Sequence, residues 1–183
     1  MVETERLILR QWQTSDLEPF AKLNADPDVM RYFPASLSRE ESDNLANRFK
    51  NIIDNNDGWG FWAVELKSTG EFVGTVGLLH QADRFDFSPC TEIGWRLAKS
   101  FWQQGIAREA ATHALDFAFN QLNLDEVVSF TAAHNTQSER LMKRLGMVKQ
   151  GDFMHPTLAA DHYLAKHVLY KITKANMASK TKR

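Results

Sequence analysis

The residues best suited to chemistry lie between positions 95 and 111. Their centre is Gln103, Gln104, Gly105, Ile106, Ala107 and Arg108, where a short loop after a strand pattern runs into the glycine-marked start of a long helix. The first N–H groups of a helix have no intrahelical acceptor, and the aligned peptide dipoles add partial positive charge there. Gly105 and Ala107 lack bulk, so an anion can approach this backbone closely. The expected ligand is a diphosphate. The turn lacks the Lys-Ser/Thr ending of a P-loop, which argues against a nucleoside-triphosphate enzyme. His155, His162 and His167 show no metal-ligand spacing. Cys90, the only cysteine, excludes an intrachain disulfide and a multi-cysteine metal site. No metal is expected.

A chain of 183 residues suits one domain with a substantial core. The formal net charge of -1 gives no overall pull toward nucleic acid or acidic membranes. A lone cysteine fits a reducing compartment. The first residues, Met1-Val2-Glu3-Thr4-Glu5-Arg6, do not resemble a signal peptide, and no stretch is long and apolar enough to span a bilayer. The expected location is the cytoplasm, with no nucleic-acid or membrane partner.

The elements that must hold the turn follow from periodicity. Residues 6–10 read as a strand between arginines. Ser15 and Glu18 have capping-box spacing and predict a helix to about Ala25, with Phe20, Ala21 and Leu23 inward. Ser38 and Glu41 predict a second box, opening a helix with Leu45, Phe49, Ile52 and Ile53 on one face. Residues 59–66 and 72–80 read as a hairpin, and 90–97 as a third strand. The helix from Gly105 to about Asn123 carries a stripe of Ala107, Ala110, Ala111, Ala114 and Ala118. A buried-type strand at 127–132 follows, then a helix from Asn135 with Gly146 at its end, then strands at 147–153 and 162–172. Residues 1–172 are expected to form one domain. Residues 173–183, polar and basic without periodicity, are expected to be a flexible tail. This order gives an α/β or α+β fold with a mixed sheet.

Three motifs in this order carry a resemblance: Glu92-Ile93-Gly94-Trp95, then Trp102-Gln103-Gln104-Gly105-Ile106-Ala107-Arg108-Glu109-Ala110, then the run from Asn135 to Met147, Asn-Thr-Gln-Ser-Glu-Arg-Leu-Met-Lys-Arg-Leu-Gly-Met. The chain resembles the GNAT acetyltransferase superfamily, and most of all its RimJ/RimL-like branch, over nearly its whole length. Residues 4–10 resemble that branch's first strand. Trp102 stands where the wider superfamily often has Gln or Arg, and it is common in that branch. Ala107 replaces a glycine, which the family also accepts.

The resemblance implies a mostly antiparallel sheet of about seven strands flanked by about four helices, with a splayed central strand pair formed by 92–97 and 127–132. It implies acetyl-CoA as co-substrate. The pantetheine arm would lie along the backbone of Trp95, Arg96 and Leu97, and the pyrophosphate on Gln103, Gln104, Gly105, Ile106, Ala107 and Arg108. Asn135 would contact the cofactor arm. Ser138 matches a position near the sulfur that protonates the departing thiolate in some members; as a first-turn residue it is also explained by a backbone hydrogen bond. Lys143 and Arg144 are placed to reach the adenosine phosphate or to form a solvated helix face.

The implied reaction is direct acetyl transfer to a primary amine, which requires the amine neutral, a donor for the oxyanion and a proton for the thiolate. Glu92 reads equally as the base or as a strand-end carboxylate paired with Lys or Arg. Phe33, Trp59 and His80 are candidates for acceptor contact. The acceptor is a protein N-terminal α-amine, as the branch suggests, or a small molecule such as a polyamine, amino acid or aminoglycoside. A non-catalytic acyl-CoA-binding module is the competing class. Both monomer and homodimer are compatible with the sequence.

Overall fold

The periodic segments become, in chain order, β1 (Val2–Glu3), β2 (Leu7–Arg10), α1 (Leu17–Ala25), α2 (Arg39–Asn55), β3 (Phe61–Leu66), β4 (Phe72–Gln81), β5 (Cys90–Leu97), α3 (Ile106–Asn120), β6 (Glu126–Ala132), α4 (Thr136–Leu145), β7 (Val148–Met154), β8 (Lys166–Thr173) and α5 (Lys174–Lys180). They come from a computed structural model that describes residues 1–180. The eight strands form one mostly antiparallel sheet in the order β1-β2-β3-β4-β5-β6-β8-β7. Strands β5 and β6 are parallel, and such a pair needs a crossover, here α3. No described helix is long and apolar enough to cross a membrane.

The chain divides into two compact units, Met1–Leu78 with Gly94–Ala114, and Leu79–Ile93 with Leu115–Arg183. In the first, Leu7 and Leu9 alternate inward on β2 and are fully buried. Trp12, Phe20, Phe49, Phe61 and Phe72 form an aromatic core, with Trp12 edge-on to Phe20 at 4.8 Å and Phe49 stacked on Phe61 at 4.9 Å. The Trp12 indole N–H donates to the Phe61 carbonyl at 2.8 Å. The expected box at α2 forms: Ser38 N donates to Glu41 Oε2 at 2.7 Å, and Glu41 N to Ser38 Oγ at 3.2 Å.

The start of α1 differs from expectation. A 3-10 turn (Thr14–Asp16) precedes the helix, and the acidic partner is Asp16, not Glu18: Gln13 N donates to Asp16 Oδ2 at 2.8 Å. Arg10 on β2 explains this, because its fork grips both Asp16 oxygens, at 2.7 and 2.9 Å, and sets where the chain turns.

In the second unit, β6 pairs antiparallel with β8, and β8 with β7. Phe85, Phe87, Phe130 and Phe153 pack mostly edge-to-face, with Phe85 and Phe87 stacked at 4.9 Å. Strand β8 begins at Lys166, not at 162. His162 forms a turn instead, its N–H bonding to the Ala159 carbonyl at 2.9 Å and its Nδ1 accepting from Leu164 N at 3.1 Å. The segment expected to be an aperiodic tail opens with α5, anchored where Lys174 N bonds to the Asp125 carbonyl (2.9 Å) and Lys174 Nζ to the Phe119 carbonyl (2.7 Å). Residues 181–183 of that expected tail lie outside the described residues. With β1, which is too short to show a period, α5 is the element by which the observed count exceeds the expected one.

Candidate active site

Strand β5 delivers the chain to the anion turn, and contacts within the first unit fix it there. Ala98 N bonds to the Val73 carbonyl at 3.0 Å. Gly74 has φ +146°, and any Cβ there would stand 2.3 Å from the Arg96 carbonyl, so only glycine permits β4 and β5 to approach this closely. A 3-10 turn (Lys99–Phe101) follows, and the Trp102 indole N–H reaches back to the Leu97 carbonyl at 2.9 Å. Gln104 Nε2 closes the loop on the Ser100 carbonyl at 2.8 Å. Gln103 and Gly105 both sit in the left-handed region, at φ +60° and +79°.

These bonds leave a row of unused donors. Among the described residues, the N–H groups of Gln103, Gln104, Gly105, Ile106, Ala107 and Arg108 donate to no protein acceptor. Such a row at the start of α3 suits a phosphate chain. One feature opposes it: Glu109 puts a carboxylate in the first helical turn. Arg6 cancels this, donating through N at 2.9 Å and Nε at 2.7 Å to Glu109, while its Nη1 holds the Gln104 carbonyl at 3.1 Å. Burial alone would raise the Glu109 carboxyl, but the Thr4 hydroxyl and Arg6 outweigh it and hold it below the usual range. The sequence pattern did not single out Arg6 for this role; the only signal was a basic residue on a strand and an acidic one in a helix's first turn.

The same unit holds Arg96, Phe33 and Trp59. The Arg96 guanidinium lies 4.1 Å from the centre of the Phe33 ring, and its Nη1 donates to Asn24 Oδ1 at 2.6 Å. Burial pulls its pKa down to about 10. Trp59 is half-buried beside the end of α2, its N–H on the Asn56 carbonyl at 3.3 Å.

In the second unit the register between β5 and β6 is one pair, Glu92 with Val128. Immediately after it, the Ile93 carbonyl accepts from the buried Ser129 hydroxyl at 2.9 Å in place of a strand N–H. Glu92 makes no direct ion pair among the described residues, although the charge of Arg84 acts on it. Its Oε2 is buried and without a hydrogen-bond partner, as is Gln81 Nε2. Burial pushes the Glu92 carboxyl up to about 7, moderated by the Gln81 amide and the charge of Arg84. His80, next to Gln81, is exposed.

Asn135 caps α4. Its Oδ1 accepts from Ser138 N at 3.2 Å, and its Nδ2 donates to Thr131 Oγ1 at 2.9 Å and Ser138 Oγ at 3.1 Å. Gly146 ends the helix at φ +90°. Lys143 pairs with Glu139 at 3.1 Å, and Glu139 also accepts from the Tyr170 hydroxyl at 2.6 Å. Register partners share a sheet face, so Glu92 lies on the Val128 and Phe130 face of β6, and Thr131, with its contact to Asn135, on the other. Ser138 is thus brought to Asn135 but not to Glu92. Among the described residues, no three His, Cys, Asp or Glu side chains are grouped to hold a metal ion.

This fold has known counterparts. Residues 6–148 match the family described as the acetyltransferase (GNAT) domain, and the chain belongs to that family of acyltransferases, whose fold binds acetyl-CoA. The uncharacterized protein YkkB of Bacillus subtilis is 31% identical over 147 residues, covering 79% of this chain and 83% of that protein. The uncharacterized N-acetyltransferase YoaA of the same organism is 28% identical over 153 residues, covering 82% of this chain and 84% of that one. A GNAT-family acetyltransferase crystal structure from Bacillus anthracis superposes with a TM-score of 0.80 at 24% identity, over 95% of this chain and 98% of that one.

Proposed function

We propose that the protein moves an acetyl group from acetyl-CoA directly to a primary amine, with Glu92 as the base. The observation that carries this reading is the orphaned Glu92 oxygen: a half-buried carboxyl pushed up to about 7, with its buried Oε2 lacking a hydrogen-bond partner, is suited to take a proton near neutral pH. The unused N–H groups from Gln103 to Arg108 hold the diphosphate of the donor, with Arg6 screening Glu109. Backbone groups of Trp95, Arg96 and Leu97 hold the donor's arm, Asn135 contacts it, and Lys143 reaches its adenosine phosphate.

Glu92 accepts a proton from the attacking nitrogen as its lone pair forms the bond to the acyl carbon; an acceptor that arrives as ammonium gives up its extra proton to solvent first. A β5 N–H donates to the developing oxyanion. Ser138 gives its proton to the sulfur as the carbon–sulfur bond breaks and regains one from solvent, while Glu92 releases the proton it took, so both groups return to their starting states. Phe33, Trp59 and His80 contact the acceptor. The RimJ/RimL-like motifs, Trp102 among them, favour a polypeptide N-terminal amine. Arg96 favours an acceptor that carries an acid group, for the reason given below.

The test is acetyl-CoA consumption against a panel of peptides and small amines. The expected result is thiol release matched by N-acetyl product, and only with primary amines. Acetyl-CoA binding without transfer to any amine would identify a binding module instead.

A further inference from the structure

Arg96 carries a positive charge that no carboxylate among the described residues answers. Its Nη1 donates to Asn24 Oδ1, and Asn24 is fixed in turn, its Nδ2 donating to Ser42 Oγ at 2.9 Å. Asn24 and Ser42 are both 0% exposed, and neither is charged. The carboxylate of Asp28 is already held by Arg31 at 2.7 Å and by Lys99. Arg6 and Arg10 each have a carboxylate partner; Arg96 has none among the described residues. Its Nε and Nη2 donate to nothing there, and the residue stays partly exposed. One face of the guanidinium is covered by Phe33.

A dehydrated guanidinium without an anion is costly, and an apolar chain would fill the same volume without that cost. A buried Ser42–Asn24 relay that aims the fork, leaving one of its edges open, is the construction expected of a binding residue. We propose that Arg96 receives a carboxylate carried by the acceptor itself, so that the substrate is an amine bearing an acid group. This rests on the amine-acetylation reading above. The flat carboxylate matches the parallel N–H pair of Nε and Nη2 in a way that a hydroxyl or amide does not. A polyamine, cationic at both ends, is disfavoured at the same place. The acid group can belong to a free amino acid or to an acidic residue near a peptide N-terminus.

The experiment measures acetyl-CoA-dependent kcat/KM for short ω-amino acids, their carboxamides and diamines of equal length. A second arm compares peptides whose second residue is Glu or Gln. The wild type is expected to favour the acid over its amide by about tenfold or more, and the arm showing the larger ratio identifies the source of the acid group. In Arg96→Met the preference should vanish, and in Arg96→Lys it should return in part; the lysine variant carries the test if the methionine variant does not fold. Acid and amide used equally by the wild type would overturn the proposal, as would an Arg96→Met loss equal for both, which marks a purely structural arginine. A change confined to the KM for acetyl-CoA would also overturn it by assigning the charge to the donor. Transfer to no amine at all would instead remove the underlying activity, a result distinct from transfer without acid preference.

Discussion

Replacing Glu92 with glutamine should move activity and stability in opposite directions. The substitution keeps the shape and removes the charge. Burial holds the folded carboxyl at about 7 against an ordinary value of 4.5, an interval worth about 3 kcal/mol. The unfolded chain releases this proton near 4.5 and the folded chain only near 7. Between those values the folded state binds more protons, so rising pH costs the wild type stability until the carboxyl is ionised in both states. At about pH 8 the full cost is present, and at about pH 5 most of it is absent. The glutamine variant never bears it, though it leaves an amide without a partner beside Gln81, at about 1 kcal/mol at either pH. The net expectation is a gain of about 2 kcal/mol near pH 8, or a Tm higher by about 4–8 °C for a chain of this length. Near pH 5 the gain should be gone.

Activity should fall on the order of 10²–10⁴-fold. An acceptor whose own amine is neutral throughout the range isolates the enzyme's titration. With it, wild-type kcat/KM should rise about tenfold between roughly pH 6 and pH 8, and the variant's should not. Thermal melts at the two pH values and the pH–rate profile together decide the matter. A Tm change of the same size at both pH values, or a variant that keeps the rate and its pH limb, would refute the assignment of Glu92 as a strained base.

Gly105→Val forces a β-branched residue into φ +79° at the turn, at about 1–3 kcal/mol of strain. The Tm rise produced by acetyl-CoA should disappear in this variant while persisting in a control substitution at the exposed Gln121; an undiminished rise would move the diphosphate elsewhere. Ser138→Ala should lower kcat by about tenfold or more with little change in the KM for acetyl-CoA, as loss of a proton donor requires. An unchanged kcat would reduce Ser138 to a residue of the α4 cap.

Local signals were the legible ones. The Ser38–Glu41 box, Asn135 as cap, Gly146 as terminator and the bounds of β5 depend on neighbours within a few residues, and each was readable as such. The start of α1 was not, because Asp16 answers to Arg10 on another element, a partner no local spacing reveals. Similarly, Glu92 stood out by its position in a motif, but only the fold shows that its oxygen has no partner. Asn24 was hidden for the opposite reason: it occupies an inward helical position where an apolar residue is the default, and its use emerges only with Ser42 and Arg96 around it.

The clamp on Glu109 ties the anion turn to a residue 103 positions earlier in the chain. Both ends of the first unit must therefore be in place before the start of α3 loses its negative charge. In a partly folded chain the helix can form before Arg6 docks on Glu109, and the uncompensated carboxylate then weakens the turn's attraction for an anion. On the proposed reading, affinity for the donor is a cooperative property of that whole unit, and coenzyme binding reports on the completeness of folding as well as on the geometry of six amides.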